Sequence, residues 1–274
     1  MLTTWGMWMR AAGAPETTIG LRLYHLRRFL SENDCCDPFA LETEQLVLWI
    51  AEHDWKPNTR RAYRSSLRAF YTWAQATGRR TDNPALGIPP VRIPRALPRP
   101  TPEQVYVDAV TGADERVRLM IELAAICGLR RGEISRVRRE DVEHDLDGGR
   151  VLFVRGKGAH ERVVPLPAAL AADILERPPG WVFPSSAPGG GPLTPHHVGK
   201  LVSAAFPGDY TCHNLRHRCG TIALEVTNDI RAVQELLGHA KLETVQIYTL
   251  VTRGRIRAAI DATARDPRLR GDAA

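Results

Sequence analysis

Apolar residues recur at the spacing of an α-helix through the first third of the chain. One apolar stripe has intervals of four, three and four residues, and it consists of Ile19, Leu23, Leu26 and Leu30. This stripe predicts an amphipathic helix whose start Thr17 or Thr18 can cap. Residues 46–50 suggest another helix, and a longer one is predicted from Asn58 to about Thr77, where a glycine follows. The apolar stripe of this longer helix is Tyr63, Leu67, Phe70 and Ala74.

Residues 101–274 combine helical patterns with one short stretch that is typical of β-structure. The predicted helix starts are Thr101-Pro102, Glu115, Gly132, Thr194-Pro195 and His213, and Gly128 is the predicted end of the second. Residues 151–155 and 162–166 are typical of two short strands, with a turn at 147–149 before them and Gly156-Lys157-Gly158 in the tip region between them. Because the 3.6-residue period dominates, we expect a mainly α fold (α+β) with one small sheet.

A proline-rich segment separates the two halves of the pattern. Residues 84–102 contain seven of the 20 prolines of the chain. Proline interrupts both helix and sheet and favours an extended backbone, so this composition is typical of a linker. We therefore predict a helical domain over residues 1–88, a linker rich in proline and arginine over residues 89–100, and a second domain over residues 101–274.

Positive charge is concentrated in the N-terminal part. Of the formal net charge of +6, residues 1–100 contribute +5, from 14 Lys/Arg against 9 Asp/Glu. A basic surface indicates a polyanion partner such as nucleic acid, and a solvated surface is the alternative. The candidate DNA-binding arginines are the stripe Arg60, Arg64 and Arg68 of the long helix and the linker set Arg92, Arg95 and Arg99. Three like charges at helical spacing repel each other unless an anion lies alongside, which favours phosphate contact for the stripe.

The cysteine pattern and the hydropathy argue against a zinc-binding, secreted or membrane-spanning protein. The five cysteines are Cys35, Cys36, Cys127, Cys212 and Cys219, and they form no CxxC pair. We therefore expect reduced thiols, no zinc site and, for the last three, packing roles. The sequence has no apolar run of 18 residues and no signal-peptide pattern, so a cytoplasmic protein is expected.

The candidate chemistry of the second domain consists of one nucleophile and several cations. Tyr248 lies nine residues after His239, and its phenol needs cationic neighbours or a base to react near neutral pH. Arg130 and Arg216 are candidate clamps, because a guanidinium can bind two phosphate oxygens at once. Spacing alone does not choose between Arg130 and its neighbour Arg131, and a salt bridge is the alternative role of Arg216. This set suits attack on a phosphodiester.

Other side chains could move protons or hold the clamp. His213 can shuttle a proton near neutral pH, and on a helix it shares a face with the arginine three residues later. His239 could donate a hydrogen bond to a phosphate oxygen. Lys157 lies between two glycines and could protonate a leaving 5′-oxygen, whereas a solvated hairpin lysine is the alternative. Glu133 could orient the clamp arginine three residues before it, or His213.

These motifs occur in the order typical of the tyrosine recombinase (phage integrase) family. The segments are GLRRGE at 128–133, GKG at 156–158, HNLRH at 213–217 and LLGH at 236–239, followed by Tyr248. Each segment alone is weak, but the ordered set resembles the family over nearly the whole chain. The resemblance implies that residues 1–88 form its helical, SAM-like core-binding domain. It also implies that residues 101–274 form its catalytic domain, helical with a small β-sheet and a C-terminal tail.

The resemblance implies a site-specific DNA recombinase, integrase-like, that cleaves and rejoins DNA through a 3′-phosphotyrosyl bond to Tyr248. The catalytic residues that it implies around the scissile phosphate are Arg130, Lys157, His213, Arg216 and His239. The bond energy stays in the phosphotyrosyl link, so neither a metal nor another cofactor is expected. The implied partners are double-stranded DNA recombination sites. The protein is expected to form a homotetramer on DNA, to be a monomer or weak oligomer when free, and to associate with the nucleoid.

Two other functions remain open at this point. A type IB topoisomerase shares the phosphotyrosine chemistry, and a DNA-binding regulator could have lost catalysis, although the intact cation set opposes that. The sequence departs from the family pattern at Arg139, where an aromatic residue is common, and at His160, where a lysine often follows the GKG turn. The core-binding pattern begins almost at Met1, so we expect no additional N-terminal arm-binding domain.

Overall fold

The computed structural model describes residues 1–33, 37–94, 99–156 and 161–238 of the 274-residue chain. The chain divides into two compact units, Met1–Ala96 and Leu97–Ala274. Helices dominate the described residues, and their strands are confined to one small sheet in the second unit, which confirms the predicted mainly α fold. Within these ranges, no helix combines the length and the apolar character needed to cross a membrane.

The described part of the first unit contains four α-helices. They are α1 (Leu2–Ala11), α2 (Glu16–Glu32), α3 (Thr43–Glu52) and α4 (Pro57–Ala76). The sequence does not predict α1, because Gly6 and polar residues interrupt its apolar run. Trp5 and Met9 nevertheless lie four residues apart on one helix face, and both are buried.

Aromatic side chains fill the core of the first unit. The predicted stripe of α4 is buried throughout, at Tyr63, Leu67, Phe70 and Ala74. Trp5 meets Phe70 edge to face with ring centroids 5.3 Å apart, and Trp49 meets Tyr63 in the same geometry at 5.3 Å. Such pairs add to the stability that burial of apolar area provides. The tryptophans of this unit are Trp5, Trp8, Trp49, Trp55 and Trp73.

Prolines, rather than the predicted polar caps, mark two helix starts in this unit. Pro15 is the N-cap of α2, which begins at Glu16 and not at the threonines that follow. Pro57 is the first residue of α4, one position before the predicted cap Asn58. Both predictions of the start were wrong because the fixed φ of proline already suits the edge of a helix.

The second unit contains the other α-helices that the structure describes. They are α5 (Glu103–Gly112), α6 (Glu115–Ala125), α7 (Arg131–Ile134), α8 (Ala168–Leu175), α9 (Pro195–Ala204), α10 (Cys212–Thr227) and α11 (Ile230–Leu237). Thr194 caps α9 as predicted, whereas Pro102, not Thr101, occupies the N-cap position of α5. Helix α7 begins one residue before the predicted start at Gly132 and ends at Ile134, after which the chain extends and pairs Arg138 with Trp181 in a β-bridge.

The small sheet is antiparallel, with the order β1-β2-β3. Its strands are β1 (Val142–His144), β2 (Arg150–Arg155) and β3 (Glu161–Leu166). The two longer strands confirm the predicted pair, whereas β1 is too short to show an alternating pattern. Gly148 has a φ of +81° in the predicted turn between β1 and β2. In the register of β2 and β3, Val154 lies opposite Arg162. Residues 157–160, which include Lys157 and His160, lie outside the described ranges.

A tight turn after α6 leads the chain towards the candidate site. Helix α6 packs against α10 and ends at Ala125, three residues before the predicted stop at Gly128. Gly128 has a φ of +63°, and a Cβ placed on it would lie 2.5 Å from Cδ2 of Leu237 and 3.2 Å from Sγ of Cys219. Only glycine fits this turn without strain, and the turn brings Arg130 to the start of α7.

Candidate active site

A cleft of about 680 Å³ in the second unit brings together three of the predicted catalytic side chains, Arg130, His213 and Arg216. The residues that line the cleft are Arg130, Arg131, His196, Gly199, Lys200, Ser203, Thr211, Cys212, His213 and Arg216. The other three predicted catalytic residues, which are Lys157, His239 and Tyr248, lie outside the described residues.

Arg130 reaches the cleft from the N-cap position of α7, and its side chain is 44% exposed. Its Nη1 donates to Oε1 of Glu133 at 2.8 Å, and its backbone nitrogen donates to Oε2 at 2.8 Å. Its Nη2 donates to the carbonyl oxygen of Gly238 at 3.2 Å. These contacts fix the orientation of Arg130. Because a guanidinium has five N–H donors, donors remain that can bind an anion.

Glu133 is the buried anion that holds Arg130, with only 4% of the residue exposed. Arg162, on β3, binds both of its oxygens, through Nη1 to Oε1 at 3.0 Å and Nη2 to Oε2 at 2.9 Å. Burial alone would raise the pKa of this carboxyl. The hydrogen bonds from Arg162 and from the backbone of Arg130 outweigh burial and lower the pKa to about 2. Glu133 was expected to orient either Arg130 or His213, and in the structure it contacts Arg130.

Arg216 is almost completely buried in α10, with 2% of the residue exposed. Its Nη1 donates to the carbonyl oxygen of Gly128, and its Nη2 donates to the carbonyl oxygen of Leu237. One planar fork thus holds both the turn before α7 and the end of α11. A lysine could not span the same two acceptors with this geometry.

His213 lies in the first turn of α10, where its backbone nitrogen donates to Oγ1 of the N-cap Thr211 at 3.2 Å. Burial lowers the pKa of His213, and the charges of Arg216 and Arg130 lower it further. The His213 ring meets the ring of His217 with centroids 4.2 Å apart, and burial lowers the pKa of His217 to about 4. These surroundings favour the neutral form of His213, which can accept a proton or a hydrogen bond.

Arg162 belongs to this site, although no motif in the sequence singles it out. Its side chain lies on the same face of β3 as those of Val164 and Leu166, which are both buried. An arginine on the apolar face of an alternating strand is the signal that could have identified it, because a buried charge needs a partner. The partner, Glu133, is 29 positions away in the sequence, and no local pattern predicts that distance.

Three guanidiniums converge on the C-terminal end of α11. The contacts join Arg162 Nε to the Leu236 carbonyl at 3.1 Å, Arg216 to the Leu237 carbonyl, and Arg130 to the Gly238 carbonyl at 3.2 Å. The last carbonyls of a helix lack partners within the helix and carry the negative end of its dipole. The cations of the site therefore also cap α11, where Gly238, with a φ of +60°, ends the helix.

The arginine stripe of α4 is held within the first unit. Arg60 donates from Nη2 to the carbonyl oxygen of His53 at 3.0 Å, and Arg64 donates from Nε to the carbonyl oxygen of Ile88 at 2.9 Å. Burial lowers the pKa of Arg64, and the charge of Arg68 lowers it further. Two of the three side chains thus also support the fold of their own unit, and their contact with phosphate stays a prediction.

The linker arginines have separate environments. Arg92 lines, together with Arg60, a cleft of about 370 Å³ in the first unit. The carbonyl oxygen of Arg99 accepts a hydrogen bond from Nδ2 of Asn214 at 2.8 Å, in the second unit. Arg95 lies outside the described residues, and DNA binding by all three stays a prediction.

The described cysteines are packing residues, as predicted. Cys127, Cys212 and Cys219 are buried free thiols, and burial raises their pKa values to about 12, 11 and 11. Cys35 and Cys36 are outside the described ranges. In the part of the chain that the structure describes, no three His, Cys, Asp or Glu side chains are grouped so that they could hold a metal ion.

Comparison with known proteins relates the second unit and the whole chain to one family. Residues 103–255 match the model of the phage integrase family. The chain is 34% identical over 224 residues to the tyrosine recombinase XerC of Chromobacterium violaceum, which covers 76% of this chain and 74% of that protein. It is 30% identical over 273 residues to the tyrosine recombinase XerA of Thermococcus kodakarensis, with 95% and 94% covered.

Solved structures share the fold. A post-cleavage complex of the XerH site-specific recombinase with a palindromic difH substrate has a TM-score of 0.69 at 20% identity, over 92% of this chain and 81% of that chain. A lambda integrase tetramer bound to a Holliday junction has a TM-score of 0.66 at 20% identity, over 88% and 76%. At this level of identity the likeness concerns the fold alone.

Proposed function

The chain belongs to the phage integrase family of tyrosine recombinases and is a site-specific DNA recombinase. We propose that it works in the cytoplasm and that it cleaves and rejoins DNA through Tyr248. The phenolic oxygen of Tyr248 attacks the scissile phosphate in line. A bond forms from that oxygen to phosphorus while the bond from phosphorus to the 5′-oxygen breaks. The products are a 3′-phosphotyrosyl link and a free 5′-hydroxyl, and attack by the 5′-hydroxyl of another strand reverses the step.

The observation that carries this mechanism is the meeting of Arg130, His213 and Arg216 in one cleft. The transition state of phosphodiester transfer has more negative charge on its non-bridging oxygens than the substrate has. Donors that are already oriented towards that charge lower the barrier, because they need no reorganisation during the reaction. This role is supported by the hydrogen bonds to Glu133 and to backbone carbonyls, which fix the guanidiniums of Arg130 and Arg216 before any substrate binds.

Proton transfers complete the step. The phenol of Tyr248 loses a proton as it attacks, and we assign His213, which lies in the cleft beside Arg130 and Arg216, as the acceptor. The leaving 5′-oxygen gains a proton, for which we assign Lys157 as the donor. His239 donates a hydrogen bond to a non-bridging oxygen. The bond energy is conserved in the phosphotyrosyl link, so the reaction requires neither ATP nor a metal ion.

Replacing Tyr248 by phenylalanine tests the proposal directly. The change removes the attacking oxygen and keeps the ring, so Tyr248→Phe should bind DNA and form no covalent complex. The assay uses a duplex with a nick near the cleavage point, so that the covalent product is trapped and can be measured on a denaturing gel. Tyr210→Phe also removes one phenolic oxygen, from a tyrosine packed beside Phe206, and should react like the wild type. Covalent product from Tyr248→Phe would contradict the assignment.

The stoichiometry of the reaction leads to a homotetramer on DNA. Two recombining duplexes have four strands to cut, and each protomer supplies one Tyr248, so a complete exchange uses four protomers. The tetrameric lambda integrase shares the fold. We expect a monomer or weak oligomer without DNA and a complex of four protomers with two duplexes when sites are present, as measured by mass photometry. Recombination by a complex that never exceeds two protomers would contradict this stoichiometry.

A further inference from the structure

Arg162 joins three parts of the candidate active site. It belongs to β3, it binds Glu133 of α7, and it caps the end of α11 through Leu236. Its side chain is 12% exposed, and each of its three nitrogens donates to a protein oxygen, at 3.1 Å for Nε, 3.0 Å for Nη1 and 2.9 Å for Nη2. This geometry suits a residue that fixes its neighbours rather than one that binds phosphate.

Glu133 transmits this constraint to Arg130. The carboxylate accepts four hydrogen bonds, two from Arg162 and two from Arg130. A buried carboxylate with that many donors has little freedom to move, since charge-assisted hydrogen bonds are strong and directional. Any displacement of the Arg162 guanidinium therefore also releases the carboxylate that orients Arg130.

A second route runs through the end of α11. A Cβ placed on Gly238 would lie 2.9 Å from Cδ and 3.1 Å from Nη1 of Arg162. The Arg162 side chain thus packs directly against the residue whose carbonyl oxygen accepts from Nη2 of Arg130. Both contacts of the Arg130 guanidinium, with Glu133 and with Gly238, depend on where Arg162 lies.

We infer that Arg162 is a positioning residue for recombination, which holds the Arg130 guanidinium in its catalytic orientation through Glu133 and the end of α11. This role rests on the proposed function, in which Arg130 neutralises the scissile phosphate. It requires a guanidinium, because the compact ammonium group of lysine cannot serve two carboxylate oxygens and a carbonyl in one plane.

The first experiment compares Arg162→Lys with a matched control, Arg218→Lys. Arg218 is also 12% exposed, binds both oxygens of Glu103 at 2.6 to 3.0 Å, and approaches the carbonyl of Ala125 at 3.4 Å. Covalent complex formation is measured on the nicked duplex, with thermal melting to show folding. We expect Arg162→Lys to be roughly 100-fold slower than the wild type, as for a misplaced catalytic group. Arg218→Lys should be slower by no more than about threefold.

The second experiment separates positioning from a merely structural role. A scissile methylphosphonate has a methyl group in place of one non-bridging oxygen, so it carries one negative charge less for Arg130 to neutralise. The ratio of the wild-type rate to the Arg162→Lys rate should be smaller on this substrate than on the phosphodiester. The ratio of the wild-type rate to the Arg130→Ala rate should become smaller in the same way. A general loss of structure would slow cleavage of both substrates by the same factor.

Each outcome decides the question. A wild-type rate for Arg162→Lys, or the same rate ratio on both substrates, overturns the positioning role. If Arg162→Lys does not fold, the double variant Arg162→Met with Glu133→Gln removes both charges together. It should then show the same phosphate-specific loss, and wild-type cleavage by that variant overturns the role. Failure of the wild type to form any covalent complex on the phosphodiester overturns the proposed function instead.

Discussion

At the scale of single residues, the site depends on the planar fork of Arg130. Arg130→Lys should slow cleavage nearly as much as Arg130→Ala, because an ammonium cannot bind Glu133, the Gly238 carbonyl and a phosphate together. Loss of one donor from the transition state costs about 3–4 kcal/mol. Single-turnover rates on the nicked duplex measure the effect. Arg131→Ala, in the same cleft, should be mild, and an essential Arg131 with a dispensable Arg130 would overturn the assignment.

The buried carboxylate of Glu133 makes stability depend on pH. Its pKa is about 2 in the folded chain, against an ordinary value of 4.5. A lowered folded pKa gives stability that is complete above about pH 5 and is lost as the pH falls towards 2. The difference between the two values corresponds to about 3 kcal/mol. In urea, the free energies of unfolding of the wild type and Glu133→Gln should therefore become equal as the pH falls. The control Glu115→Gln, whose side chain is 76% exposed, should have the free energy of the wild type at every pH. A constant difference between wild type and Glu133→Gln would contradict this.

At the scale of elements, the C-terminal end of α11 links backbone conformation to catalysis. Gly238→Ala should lose about 1–2 kcal/mol of stability, because alanine disfavours the left-handed conformation. The added Cβ should also displace the Arg162 side chain. Gly148→Ala is the matched control, because Gly148 has a φ of +81° and no heavy atom within 4 Å of the added Cβ. Both variants should lose stability in thermal melting, and Gly238→Ala alone should lose cleavage activity. Equal cleavage rates for the two variants would show that the end of α11 does not affect catalysis.

Elements with a regular local pattern were predictable from the sequence. The stripe of α4 and the short apolar, β-branched runs of β2 and β3 are set by neighbouring residues, so the local sequence identifies them. Helix α1 was missed because Gly6 interrupts its apolar run, and β1 because three residues cannot establish a period. The contact of Glu133 with Arg162 was missed because tertiary packing creates it. Order and spacing along the chain identified the candidate catalytic residues and Glu133 beside Arg130, but they did not reveal Arg162.

At the scale of the whole molecule, the basic first unit should control the salt dependence of DNA binding. If the stripe contacts phosphates, log K falls by about 0.9 per contact for each unit of log salt. A variant with glutamine at Arg60, Arg64 and Arg68 keeps a donor for the carbonyls of His53 and Ile88 but removes the charge. It should bind every duplex more weakly and with a shallower slope, as measured by fluorescence anisotropy. Equal slopes for a folded variant would mean that the stripe faces water.

The uneven distribution of tryptophan determines which spectroscopic signal reports on which unit. The second unit contains one of the six tryptophans, Trp181, whose ring lies 4.3 Å from the guanidinium carbon of Arg138. Intrinsic fluorescence of the intact chain therefore reports mostly the aromatic core of the first unit, whereas circular dichroism reports helices in both. Denaturation curves from the two signals coincide only if both units unfold in one transition. A chain in which Trp181 is the sole tryptophan would make the catalytic unit visible by its own emission.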